Sequence, residues 1–418
     1  MHKATEFNLQ EKNPTDCFRK YIFIGCLVLL LSTITLKPFA QEVFTQPQSK
    51  FITTFPFIQL TGGIVIVTAG IDNNKDSLNF VLDTGSGGIS LDSAVVAALG
   101  FTTEKSDKII RGIAGTKNVD YTRHHTLKFP GLTVPDLDFH INDYDLLSSV
   151  YGVKIDGIIG FSFLRRFIVQ IDYDSMQLKI YTPGSFKYPK GGYMLHPNFS
   201  SLVLQQIPVS DEREAVARYI LDTGAGLCML FSADFVNDSS LIKKKRRRYP
   251  TQAEGLGGKK TMELTVIKQV DIGPFKFRKV PVYIFSDDYN VTQYPLMAGL
   301  LGNDLLRRFN VVLNYPEQSI YIKPNTHFND FFDYSYTGLG LYNIDNRVRV
   351  VDVMPGSPGD KAGFKTDDII FAIDTNFTNN IQTYKSILQN AGSKVKIFVI
   401  RDNQPITLTL QIKNILRK

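Results

Sequence analysis

The chain has 418 residues, room for two or three domains, and its composition of 43% hydrophobic and 21% charged residues excludes wholesale disorder. Phe and Tyr are plentiful and Trp is absent, while Thr, Val and Ile recur in short runs, a mixture that leans towards β structure. Much of the net charge of +7 sits in Lys243-Lys244-Lys245-Arg246-Arg247-Arg248. No interleaved aromatics or recognition motif accompany that run, so it reads as a solvated loop and no nucleic-acid partner is expected.

In chain order, Arg19-Lys20 first precede an apolar stretch over residues 21–36, followed by Lys37-Pro38-Phe39-Ala40-Gln41. Residues 1–40 are therefore predicted to be a signal peptide or an N-terminal anchor. The protein is expected to be exported, periplasmic or extracellular, with membrane contact only through this segment if it stays uncleaved. Cys17 and Cys26 belong to the same region, so if it is removed Cys228 is left alone and no intramolecular disulfide is possible. Cys228 reads as a small buried apolar residue. The histidines show no ligand spacing, so neither a metal nor a cofactor is expected.

Residues 61–71 and 78–82 read as strands and 93–99 as a short helix, with further short strands marked by Leu127, Val134 and Phe139. The order then repeats. Phe80-Val81-Leu82-Asp83-Thr84-Gly85-Ser86-Gly87 returns as Tyr219-Ile220-Leu221-Asp222-Thr223-Gly224-Ala225-Gly226. Gly157-Ile158-Ile159-Gly160, ahead of Leu164-Arg165-Arg166-Phe167, returns as Gly299-Leu300-Leu301-Gly302, ahead of Leu306-Arg307-Arg308-Phe309. The offsets are 139 and 142 residues. Between the two motifs a glycine-rich turn recurs as well, Gly112-Ile113-Ala114-Gly115 and then Gly255-Leu256-Gly257-Gly258. Two homologous β lobes follow, 41–190 and 191–324.

One Asp-Thr-Gly would be a turn. Two, each delivered by an apolar strand, are different. A carboxylate at the end of such a strand points inward, where an unpaired charge is costly. A second carboxylate can share a proton with it, so that the pair carries one negative charge. Each Thr hydroxyl can hydrogen-bond across the lobes, and each Gly lets backbone approach the carboxylate.

At these motifs the chain resembles the pepsin/retropepsin-like superfamily of aspartic peptidases over residues 57–324. The resemblance implies a mainly β, bilobal acid-protease fold with a cleft between the lobes. It implies peptide-bond hydrolysis by general acid–base activation of a water, without covalent intermediate or metal. Asp83 and Asp222 would be the catalytic pair. Thr84, Gly85, Ser86, Thr223, Gly224 and Ala225 would support them. The two glycine-rich turns, Gly112, Ile113, Ala114 and Gly115 with Gly255, Leu256, Gly257 and Gly258, would be flaps, and the partner a protein or peptide substrate. Ser86 faces Ala225 in the second copy. The extra hydroxyl is expected to stabilise an ionised Asp83.

Beyond a polar and aromatic linker at 325–335, residues 336–418 change character. Thr337-Gly338-Leu339-Gly340-Leu341 precedes a strand at 348–353, then Pro355-Gly356-Ser357-Pro358, Ala362-Gly363 and Asp367-Asp368-Ile369-Ile370. A helix over 381–388 and strands over 395–401 and 406–412 complete the unit. This resembles the small α+β PDZ domain of bacterial proteases. It implies that Gly338, Leu339, Gly340 and Leu341 form a carboxylate-binding loop for a peptide C-terminus. The alternative function is a non-catalytic, exported peptide-binding protein acting through the PDZ-like unit. A third arrangement pairs lobes between chains, and the two divergent repeats in one chain weigh against it.

Overall fold

The computed structural model describes residues 46–255, 257–334 and 336–415. The predicted signal or anchor segment, Leu256 of the second turn and Ser335 of the linker lie outside the described residues.

Each lobe is a curled sheet. In the N-terminal lobe seven strands are joined, and the strand Val65–Ile71 also pairs with Tyr121–Phe129, which closes the sheet on itself. Leu78–Leu82, the strand leading to Asp83, lies parallel to Gly157–Ile159. The C-terminal lobe repeats this in eight strands, with Glu214–Asp222 parallel to Gly299–Gly302 and Val203–Ser210 closing onto Gly258–Ile272. Buried parallel pairs need apolar runs, which the repeated Phe-Val-Leu, Tyr-Ile-Leu, Gly-Ile-Ile and Gly-Leu-Leu segments supply. A third sheet of six strands spans both lobes. Its central pair is Ile168–Asp172 against Phe309–Asn314, one strand from each repeat.

Helices are short. The N-terminal lobe holds α1 (Ser93–Leu99), α2 (Asp145–Tyr151) and α3 (Phe161–Leu164). The C-terminal lobe holds α4 (Ala233–Ser239) and α5 (Asn303–Leu306). The last unit is a five-stranded antiparallel sheet with α6 (Pro358–Lys361) and α7 (Ile381–Leu388), built on its own apolar core of Val348, Val350, Ile370, Tyr384, Ile397 and others.

Four details differ from the sequence expectations. Residues 61–63 are a turn of 3-10 helix rather than strand, because Gly62 and Gly63 take φ of 78° and 86°, and the strand starts at Val65. The strands around Leu127, Val134 and Phe139 are long, forming the hairpin Tyr121–Phe129 and Leu132–Asn142. The segment expected to be a linker packs closely: Phe328 and Phe332 join the apolar core, and backbone carbonyls of Asp330 and Phe331 accept from the buried Arg308 guanidinium. The basic run is anchored in part, with Arg246 on the buried Asp211 carboxylate and Arg248 on Glu263.

Candidate active site

The two Asp-Thr-Gly loops meet at the lobe boundary. Thr84 Oγ1 donates to the Leu221 carbonyl at 2.6 Å and accepts from the Thr223 amide at 3.0 Å. Thr223 Oγ1 returns both contacts, donating to the Leu82 carbonyl at 2.8 Å and accepting from the Thr84 amide at 3.0 Å. Both threonines are 1% exposed, so all four groups would be stranded without this exchange.

The loops are pressed face to face. A Cβ on Gly85 would stand 2.5 Å from the Asp222 carboxyl carbon, and one on Gly224 would stand 2.5 Å from that of Asp83. Only glycine permits that approach. The same glycines donate backwards, Gly85 N to Asp83 Oδ1 at 2.7 Å and Gly224 N to Asp222 Oδ1 at 2.8 Å. The two carboxyls also hydrogen-bond to each other.

Both aspartates are half-buried, and protein packs closely around their carboxyls. Burial raises the Asp83 carboxyl above its ordinary range, opposed by the Asp222 hydrogen bond and by amides of Gly85, Ser86 and Gly224. Asp222 is raised well above that range by burial first and then by the negative charge of Asp83. The pair thus holds a proton that two solvated carboxylates would lose. Ser86 acts through its backbone amide, and Ala225 supplies the same amide to Asp222. The Ser86 hydroxyl makes no hydrogen bond to Asp83 among the described residues, which corrects the role expected for it.

Both glycine-rich turns are hairpin tips. Ile109–Gly112 pairs with Gly115–Asn118, and Tyr249–Gly255 with Gly258–Ile272. The tips touch: a Cβ on Gly257 would lie 2.3 Å from the Gly115 nitrogen. Ile113 crosses to the other lobe and packs on Leu230, Met262 and Phe285. Ala114 is at the same junction, with its carbonyl carbon against Gly257.

The Gly338-Leu339-Gly340-Leu341 segment is in the C-terminal unit, apart from the aspartates. Leu339 and Leu341 are buried in that unit's core, in the edge strand Leu339–Ile344. The Leu339 amide donates to Thr337 Oγ1 at 3.3 Å, and the Gly338 carbonyl accepts from Met354. Cys228 is buried as expected, yet it is not merely apolar: its Sγ donates to Asp304 at 3.1 Å, and burial pushes the thiol well up.

Several residues near the pair escaped the sequence reading. Tyr315 is buried between the rings of Phe161 and Phe199, and burial followed by the charges of Asp83 and Asp222 pushes its hydroxyl up. Tyr173 holds Asn303 Oδ1 at 3.0 Å, and Asn303 donates to the Gly63 carbonyl. The signal was a further repeat: Tyr173 follows the strand Ile168–Asp172 as Tyr315 follows Phe309–Asn314. Tyr144 hydrogen-bonds Ser90 at 2.6 Å, and it lies in a stretch with no second copy to reveal it.

Compared with known families, residues 67–163 and again 209–305 match the aspartyl protease model, and residues 349–401 match a PDZ domain model. No curated protein matches the chain.

Proposed function

We propose, from the premise that both lobes are aspartyl protease domains and the last unit is a PDZ domain, that this protein is an aspartic endopeptidase whose paired Asp83 and Asp222 activate water. The observation that supports it is the pair itself, two hydrogen-bonded carboxyls with raised proton affinity where the two lobes meet.

Asp83, raised less than Asp222, is the ionised member and takes a proton from the attacking water. Asp222, raised further, keeps its proton and donates to the scissile carbonyl oxygen. As the C–N bond breaks, Asp83 gives its proton to the leaving amine and Asp222 takes one back from a gem-diol hydroxyl, so that the carboxylic acid forms and the pair returns to one shared proton. The threonine exchange holds the carboxyls in register. The hairpin tips must part to admit a peptide and close to exclude bulk water, which strengthens each contact inside. The PDZ domain serves peptide recognition or regulation. The N-terminal apolar stretch in the sequence supports an exported protein.

The test is cleavage of a mixed peptide library by the full chain from acid to neutral pH, beside Asp83→Asn and Asp222→Asn. Each variant is expected to lose at least about a hundredfold in rate with its fold intact, the ordinary share of one acid or base. Cleavage retained by either variant overturns the shared pair. No cleavage by well-folded protein at any pH overturns the enzyme reading and leaves a peptide-binding protein.

A further inference from the structure

Helix α2 has seven residues, too few to hold together alone in water. Its last carbonyls have no partner inside the helix. The PDZ domain supplies donors for two of them. Gln382 Nε2 donates to the Tyr151 carbonyl at 2.9 Å, and Lys385 Nζ to the Val150 carbonyl at 2.8 Å. Gly152 caps the helix with φ of 65°. A Cβ there would lie 2.2 Å from Ile381 Cγ2 and 3.6 Å from Asn343 Cβ. The helix therefore ends between α7 and the strand Leu339–Ile344, which forms one edge of the PDZ sheet. That edge is where an extended peptide adds to a PDZ domain, and α2 runs alongside it.

Along its length α2 is also tied to the lobe. The Tyr144 amide donates to Asp92 at 2.9 Å, and Leu147 and Tyr151 pack on the cluster of Leu60, Ile64 and Val81. Gln382 has a second task. Its Oε1 accepts from the Thr61 amide at 2.9 Å and from Thr61 Oγ1 at 2.7 Å. The next residue, Gly62, stands so close to the other lobe that a Cβ on it would lie 2.5 Å from Gly226 Cα, in the loop that carries Asp222. One PDZ side chain thus joins α2 to the turn that braces the second aspartate loop.

We propose that the PDZ domain is a latch docked in cis: α2 fills its peptide groove, and the docked Gln382 holds Thr61–Gly63 against the Asp222 loop. Docking and capture of a peptide exclude one another, and the docked form is the one with the organised cleft. Because such coupling is reciprocal, a peptide in the groove lowers cleavage, and substrate in the cleft tightens the latch. The activity arm rests on the peptidase reading above, while the docking arm stands apart from it.

The experiment uses the full chain and two variants that open the latch from opposite sides, Gln382→Ala with Lys385→Ala, and Gly152→Leu. Hydrogen exchange is read over residues 144–152, 339–344 and 381–388. Binding is read with a pool of fluorescein-labelled decapeptides carrying Val, Leu or Ile at a free C-terminus, and kcat/KM with a cleavable peptide. Both variants are expected to exchange about tenfold faster in those segments, bind the pool about tenfold tighter and lose about tenfold in kcat/KM, the usual scale of coupling between sites. Protection elsewhere in the lobes should stay unchanged. Unchanged exchange in all three segments overturns the latch, and an opened variant that binds the pool no better overturns the filled groove. Unchanged kcat/KM overturns the coupling to the cleft. If the parent chain cleaves nothing, the peptidase reading fails, and exchange and binding still decide the latch.

Discussion

The two lobes carry the same Leu-Arg-Arg-Phe segment and use it in opposite ways. In the N-terminal lobe Arg165 is exposed and Arg166 reaches the Pro135 and Asp136 carbonyls at the surface. In the C-terminal lobe Arg307 and Arg308 are 5% and 1% exposed and share the buried Asp304. Three positions just ahead of the segment differ, and one of them brings a charge: Ser162 stands where the second copy has Asp304. That carboxylate draws in Cys228 Sγ and the Asp333 amide, while Arg308 takes up carbonyls of the strap leading to the PDZ domain and Arg307 pairs with the strap's Asp330 and Asp333 carboxylates. A repeat preserves backbone geometry, and a single buried charge decides what the copy is attached to.

The largest effect expected from that difference follows its removal. Asp304→Ala leaves two buried guanidinium groups without their carboxylate and should cost about 3–5 kcal/mol, the scale for breaking a buried pair. Ser162→Ala, at the matching place, should stay within about 0.5 kcal/mol. Urea unfolding of both variants measures the contrast. Equal losses would mean that the strap is held by its aromatic packing rather than by the charge hub.

A second test asks where the lobes are truly alike. Thr84→Val and Thr223→Val each strand one buried amide and one buried carbonyl. Each should lose about 2–4 kcal/mol, at one to a few kcal/mol per stranded group. The reciprocal geometry requires the two losses to match. A marked inequality in urea midpoints would show that one lobe tolerates parting and the other does not.

What could be read in the sequence was what occurs twice. The Asp-Thr-Gly loops, the apolar-glycine strands and the glycine-rich turns were visible because each copy vouches for the other. The PDZ unit was visible through its turn residues, which act locally. Unpaired features stayed hidden. Helix α2 is made by partners distant in sequence, with Gln382 and Lys385 supplying its missing donors, and no local propensity announces that. The stretch expected to be a linker is polar and aromatic in composition, and its packing depends on Asp304, which a strand-and-turn reading has no reason to single out. The left-handed turn at Gly62 and Gly63 reads as strand because the β-branched run Ile64-Val65-Ile66-Val67 follows it directly, while the close approach that requires glycine comes from the other lobe.

The aspartates themselves give smaller effects that sharpen the comparison. Burial raises both carboxyls, and the like charge raises Asp222 further. The folded pair therefore binds a proton more tightly than the unfolded chain does. Its contribution to stability is full below the ordinary carboxylate range and is lost as pH rises through the raised folded values. The slope is at most about 1.4 kcal/mol per pH unit for each proton released on unfolding. Asp222→Asn should flatten that decline, and Asp83→Asn should flatten it similarly, because the effect belongs to the pair. Some slope should survive in both, since burial and Asp304 also raise Asp333. Stability measured against pH in the three proteins checks this, and a slope unchanged by either variant would remove the shared proton from the site.

The smallest expected effect concerns Ser86 and Ala225, where the two loops differ in sequence. The Ser86 amide, which donates to the Asp83 carbonyl at 3.4 Å, helps to lower the Asp83 carboxyl, and the Ala225 amide acts on Asp222 in the same direction. The hydroxyl that distinguishes them takes no part in holding the charge. Ser86→Ala should therefore leave the acid limb of the pH–rate profile within about 0.3 pH unit, a few tenths of a kcal/mol, and Ala225→Ser should do no more. A shift of a full unit in the first variant alone would mean that the hydroxyl turns to Asp83 when substrate is bound. The lobes would then differ at the site of chemistry and not only in what is attached to them.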